Sequence, residues 1–166
     1  MVGEPSGGQA CASKLRVFPW GDDEPGADTP IYVNLGDLLA CAALDIDCSD
    51  NPLAAYIDGH PTTAPVSSLP DGRSPYGAHH MSGNVCEWVA DTYQGPQVGY
   101  TGAPSDGSAW SIDPFNMDYH LLRGGSFKTG VSGTGISAIR AAYRYEIPGG
   151  ESYDAFGFRC CRWIED

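Results

Sequence analysis

A chain of 166 residues is the size of one globular domain and long enough to bury a core without staples. Lys+Arg 9 against Asp+Glu 21 gives a formal charge of -12, which opposes nucleic acid and anionic membranes as partners. With 22 Gly and 13 Pro the chain is loop-rich, its aromatic content argues against disorder, and no run is long and apolar enough to enter a bilayer as a helix.

Residues 1–15 form a polar, Gly-containing lead-in. Phe18-Pro19-Trp20-Gly21-Asp22 reads as an aromatic anchor followed by a turn, because Pro fixes φ and Gly-Asp reverses the chain. Asn34 or Asp37 caps a short helix over Leu38–Leu44. Asp45, Asp47, Asp50 and Asn51 then cluster, as a solvated acidic turn or as hard oxygen donors. Cys41 and Cys48 are close enough in sequence for a local bridge, and Cys160-Cys161 are vicinal. No Cys-x-x-Cys occurs, and buried free thiols are an equal alternative to bridges. Residues 60–71 are a Pro/Thr/Ser-rich loop.

Two stretches follow no helical or strand period: Met81–Tyr93 (MSGNVCEWVADTY) and Leu121–Cys161. Gly83 and Gly124-Gly125 sit where the backbone needs unusual φ/ψ or close approach. Arg123, Arg140, Arg144 and Arg159 lie among apolar residues, where guanidinium groups tie loops together. Glu87, beside Trp88, is expected to be partly buried and to accept from loop backbone or from an arginine such as Arg123. Asp91–Asn116 is a long loop in which Tyr93, Tyr100 and Trp110 are surface contacts or anchors, and Leu121-Leu122 begins a core strand.

These words carry a resemblance. GNVCEW resembles the GNVWEW signature of the formylglycine-generating-enzyme (sulfatase-modifying-factor) family, and RGGSF, RAAYR and GFRC follow in that family's order. The resemblance implies an α+β, C-type-lectin-like fold: a small antiparallel sheet, two short helices and much loop. It implies one domain over residues 1–166, with 121–161 the C-terminal framework. The part that precedes the Phe18 word in the family is missing or shortened, so the chain is a minimal version or is completed by another chain or segment. The resemblance also allows calcium, though no cofactor is required. Asn34 and the backbone of Leu35, with Asp47, match one set of calcium ligands; Gly83, Val85 and Glu87 match a second, which His80 weakens because imidazole is a poor calcium ligand. Cys86 stands where the family has tryptophan, as a filler or as a partner for Cys160 or Cys161.

Enzymes of this family hold copper with a Cys-x4-Cys pair, because copper(I) needs soft ligands. The matching positions are Val131 and Ile136, and no cysteine lies between Cys86 and Cys160. The expectation is no enzyme, with no catalytic residue. In place of an active site, Lys128–Ala155 is full of Tyr, Ser, Gly and Thr, the chemistry of antibody paratopes. That arrangement resembles the variable proteins of diversity-generating retroelements, whose C-terminal variable region is rewritten at asparagine codons. Residues that such codons yield fill Thr129, Ser132, Thr134, Ile136, Ser137, Tyr145, Ile147, Ser152, Tyr153, Asp154 and Ala155, which are the candidate ligand-binding positions. Lys128, Glu146 and Glu151 do not follow from them. The expected function is ligand binding by a variable surface, with an unknown protein or surface ligand as partner. The alternatives are a divergent oxidase or a structural subunit.

Overall fold

The computed structural model describes residues 16–93, 95, 100–111, 119–131 and 135–161. The lead-in 1–15, Ser132, Thr134 and parts of the 91–116 loop lie outside them.

The helix α1 spans Leu38–Leu44. Asp37 caps it: its Oδ1 accepts from Ala40 N at 2.9 Å, satisfying one of the free amides of the first turn. The helix ends at Asp45, whose left-handed backbone (φ 55) lets the chain turn back. The Cys41–Cys48 disulfide pins that turn, with Cα atoms 6.1 Å apart. Two short 3-10 turns, Pro70–Gly72 and Ile136–Ile139, are the other helical pieces among the described residues.

The sheet has the order β3-β2-β1-β4. Strand β1 is Cys86–Thr92, β2 is Tyr119–Arg123, β3 is Tyr145–Pro148 and β4 is Phe156–Gly157. The pairs β1–β2 and β2–β3 are antiparallel, while the two-residue β4 lies parallel to β1. Neighbouring side chains alternate across a sheet, so Trp88, Leu122 and Tyr145, which are opposite one another, share one face. Glu87 and Arg123, also opposite one another, share the other.

A core of Phe18, Val33, Leu35, Leu53, Tyr56 and Ile139 is built from residues outside the strands. Phe18, Trp20 and Tyr32 stack in series with centroids 5.1 Å apart at each step. This is the anchor that the Phe18–Asp22 word predicts. The Tyr56 hydroxyl accepts from Tyr32 N at 2.7 Å and Val33 N at 3.1 Å, and burial pushes its pKa up to about 12.

Loops are joined to this core by backbone bonds that need glycine. Gly83 has φ +71 and donates to Gly124 O at 2.7 Å. A Cβ there would lie 2.3 Å from Val33 Cγ2 and 2.4 Å from Asn34 O, so no other residue fits without displacement. Asn84 completes the junction: its N donates to Asn34 O at 3.0 Å and its Oδ1 accepts from Ala64 N at 2.8 Å.

Candidate ligand-binding pocket

Strands β1, β2, β3 and β4 turn one common face toward a cavity of about 280 Å³. Its wall includes Cys86, Leu122, Tyr145, Ile147 and Phe156, and the loops after β2 and β3 add Tyr143, Tyr153 and Asp154. Such a small, mostly apolar concavity with a few polar groups suits an inserted side chain or one sugar-sized group. Lys128 Nζ grips Asp154 at 2.7 and 2.9 Å, across the pocket rim, and stands 5.5 Å from the centroid of Phe127. Asp154 is 64% exposed, so this ion pair orients both groups without contributing much stability. Tyr153 meets Phe156 edge-to-face at 5.0 Å, and Phe156 meets Trp88 at 5.8 Å, so an aromatic chain runs from the rim into the sheet.

The candidate binding residues divide by depth. Tyr145 and Tyr153 are 42% and 56% exposed and form the rim, with Asp154. Thr129, Ile147 and Ala155 also line the pocket, but each is buried and belongs to its floor, not to an exposed surface. Thr129 Oγ1 accepts from Ser126 N at 3.0 Å, closing a turn. Ile147 packs below Tyr145 on the same face of β3, and Ala155 O holds Cys86 N at 2.8 Å beside β4. Ser137 and Ser152 are exposed and Ile136 packs on the core, all three away from the pocket lining.

Cys86 is a free thiol in the pocket wall, and burial pushes its pKa up to about 11. A thiol held neutral is a filler and a poor nucleophile. Cys160 and Cys161 are exposed and also free, so neither pairs with Cys86. Near the positions that bear copper ligands in enzymes of the family, Ile136 packs against the core and Val131 lies against Gly36.

The 91–116 loop is anchored to the frame. Arg144 sits 4.3 Å over the Tyr100 ring, the Tyr100 hydroxyl donates to Ala142 O at 3.1 Å, and Arg123 donates to that hydroxyl and to Ala141 O. Trp110 is tied back as well, its N donating to Asp91 Oδ1 at 2.8 Å. Both aromatics thus act as anchors.

The residues expected to hold calcium fall in two places. Asp47 is exposed and accepts from Ser49 N at 2.9 Å. The carboxylate that reaches Leu35 is Asp58, which accepts from Leu35 N at 2.7 Å and His60 N at 2.8 Å. Burial raises its pKa to about 7. Asn34, the residue before Leu35, donates through Nδ2 to Thr62 O, while its buried Oδ1 has no hydrogen-bond partner among the described residues. An orphaned buried oxygen on Asn34 and a desolvated carboxylate bonded to the next residue's amide fit a hard cation, so Asn34 and Asp58 are the residues that would hold calcium if it binds here. At the second set, Gly83 and Val85 offer only backbone, and both oxygens of Glu87 are taken by Arg159. That guanidinium supplies the positive charge, and it also donates to His79 O at 3.1 Å and His80 O at 3.0 Å. The arginine that pairs with Glu87 is therefore Arg159, not Arg123. The two imidazoles are spent on the same loop, His79 Nδ1 lying 3.2 Å from Ser68 O and His80 Nε2 3.0 Å from Pro65 O.

Fold and pocket define a C-type-lectin-like domain, α+β in class. The profile of the Sulfatase-modifying factor enzyme 1-like domain matches residues 7–164, and the chain belongs to this formylglycine-generating-enzyme family. Hercynine oxygenase of Mycobacterium tuberculosis is 32% identical over 124 residues, 72% of this chain and 23% of that protein. The inactive C-alpha-formylglycine-generating enzyme 2 of Mus musculus is 29% identical over 103 residues, 62% of this chain and 27% of that protein. The chain thus spans about a quarter of the length of either relative. Among solved structures, PvdO from Pseudomonas aeruginosa superposes with a TM-score of 0.54 at 28% identity, over 78% of this chain and 38% of that one. Treponema denticola variable protein 1 reaches a TM-score of 0.46 at 20% identity, over 77% of this chain and 34% of that one, too low to bear on function. The family holds both enzymes and inactive members.

Proposed function

We propose that this chain is a non-catalytic ligand-binding module of the diversity-generating-retroelement kind, which recognises its partner with the C-terminal segment after β2. The observation that carries the reading is convergence. Thr129, the β3 pair Tyr145 and Ile147, and the run Tyr153–Ala155 come from three places in the sequence, yet all line one pocket. The frame around them is fixed by glycine contacts and guanidinium bonds, so the exposed rim residues Tyr145, Tyr153 and Asp154 can change without refolding the domain. Exposed tyrosines give contact area at low entropy cost, while buried Ile147 and Ala155 set the depth of the floor.

The test is selection of binders from a displayed peptide library and a glycan array. Ligands selected on the wild type should lose at least about tenfold in affinity on Tyr145→Ala/Tyr153→Ala, with the fold retained. Ligands indifferent to both tyrosines would overturn the reading. The retroelement origin is tested by the neighbouring DNA, which should carry a near-repeat of the segment encoding Lys128–Cys160 that differs at template adenines.

Kinship with hercynine oxygenase favours a second reading, a divergent oxidase. Copper- or iron-dependent oxygen uptake with a thiol substrate would establish it. The apolar residues at Val131 and Ile136 weigh against the copper version.

A further inference from the structure

The opposite face of the sheet carries a second and larger cavity, about 610 Å³, lined by Glu87, Val89 and Arg123 of the strands. We propose that it binds a small organic oxyanion, a carboxylate or phosphate carried on an apolar or aromatic body. The inference is independent of the function proposed for the first pocket.

Charge is the first argument. The chain as a whole is at -12, yet three of its 9 Lys+Arg residues, Arg16, Arg123 and Arg140, line this cavity. The single carboxylate in the lining, Glu87, is already neutralised by Arg159. Arg123 donates to Ala141 O and the Tyr100 hydroxyl, and Arg16 donates to Trp20 O; neither guanidinium meets a carboxylate among the described residues. Arg140 is exposed, and its side chain has no hydrogen-bond or ion-pair partner among the described residues. Three cations without an ion-pair partner among the described residues, on one concave wall of an acidic protein, focus positive potential there. A planar guanidinium with free donors matches a carboxylate or phosphate in a two-point grip.

Shape and polarity give the second argument. Around the arginines lie Phe18, Pro19, Pro75, Tyr76 and Met81. Tyr76 is 85% exposed and Met81 41% exposed, so apolar surface is available beside the charge. A free inorganic ion would leave that surface uncovered. The volume falls in the range of small-molecule sites.

The experiment titrates the whole chain with 2-naphthoate, 2-naphthyl phosphate, neutral 2-naphthamide and inorganic phosphate, read by calorimetry and by the Met81 methyl resonance. We expect both naphthyl anions to bind at least tenfold tighter than the amide and than inorganic phosphate, and to shift the Met81 methyl. Arg140→Gln should cost at least tenfold for the anions and nothing for the amide, and Tyr76→Ala should weaken all naphthyl ligands alike. Tyr145→Ala/Tyr153→Ala should leave this binding unchanged, which separates its outcome from that of the first pocket. Equal binding of amide and anion, equal binding of inorganic phosphate, an unmoved Met81 methyl, or full affinity in a folded Arg140→Gln protein would each overturn the proposal. Arg140→Lys, which keeps the charge and loses the fork, should bind between the wild type and Arg140→Gln.

Discussion

Removing the guanidinium of Arg159 should cost more stability than any other single surface-reaching charge. Arg159 Nε donates to Glu87 Oε2 at 2.5 Å, a second nitrogen reaches Oε1, and the same group holds His79 O and His80 O. The Glu87 side chain is only 17% exposed and that of Arg159 37%, so the carboxylate is largely desolvated while its partner sits at the rim. An exposed pair contributes about 0–1 kcal/mol, and stripping one partner from a buried pair costs about 3–5 kcal/mol. This pair lies between those limits, so Arg159→Ala should lose about 2–3 kcal/mol. For a domain of this size that lowers Tm by roughly 5–10 °C. Arg159→Lys keeps the charge but not the fork that reaches carboxylate and carbonyls together, and should lose about half as much. Urea unfolding of Arg159→Ala, Glu87→Gln and the double variant gives a coupling energy, expected at about 1.5–2.5 kcal/mol. A loss below about 0.5 kcal/mol for Arg159→Ala, or simple additivity in the cycle, would refute the reasoning.

Other perturbations have equally definite outcomes. Gly83→Ala places a Cβ 2.4 Å from Asn34 O at φ +71, so it should cost about 3 kcal/mol or more, seen as a fall in urea midpoint. An unchanged midpoint would show that the junction can give way. Cys41→Ser/Cys48→Ser opens a bridge of sequence separation 7 and should cost about 2 kcal/mol by loop entropy, matched by reduction of the wild type. Calcium should raise Tm of the wild type; Asp58→Asn, whose amide oxygen can replace only one of the two acceptors, should start from a lower Tm and show no rise, and a rise that survives it would place the ion elsewhere.

Local features of the fold were legible in the sequence. Asp37 ahead of Leu38–Leu44 is a cap before a short apolar run, and the helix forms over those residues. Gly83 and the Gly124-Gly125 pair mark positive φ, as their setting between framework words implies. Pairings across long separations were not legible. Arg123 lies opposite Glu87 in the sheet, yet it reaches toward Ala141, and Arg159 arrives from 72 residues away to take the carboxylate. Asp58 was missed because it stands alone between Ile57 and Gly59, whereas Asp47 belongs to a conspicuous acidic run. Its one signal is the Gly that follows. Depth was hidden for a similar reason: Tyr145 and Ile147 share a face of β3, and only the neighbouring loops decide which is rim and which is floor.

The two-residue strand β4 has a consequence for how the protein is made. Strand β1 is flanked by β2 on one side and by β4 on the other, and β4 is encoded some seventy positions later. A nascent chain emerging from the ribosome therefore carries β1 with one side bare and Glu87 without its cation until Phe156–Arg159 have been synthesised. Completion of the sheet waits for Phe156–Arg159, and any truncation upstream of Phe156 would leave an adhesive edge rather than a smaller domain.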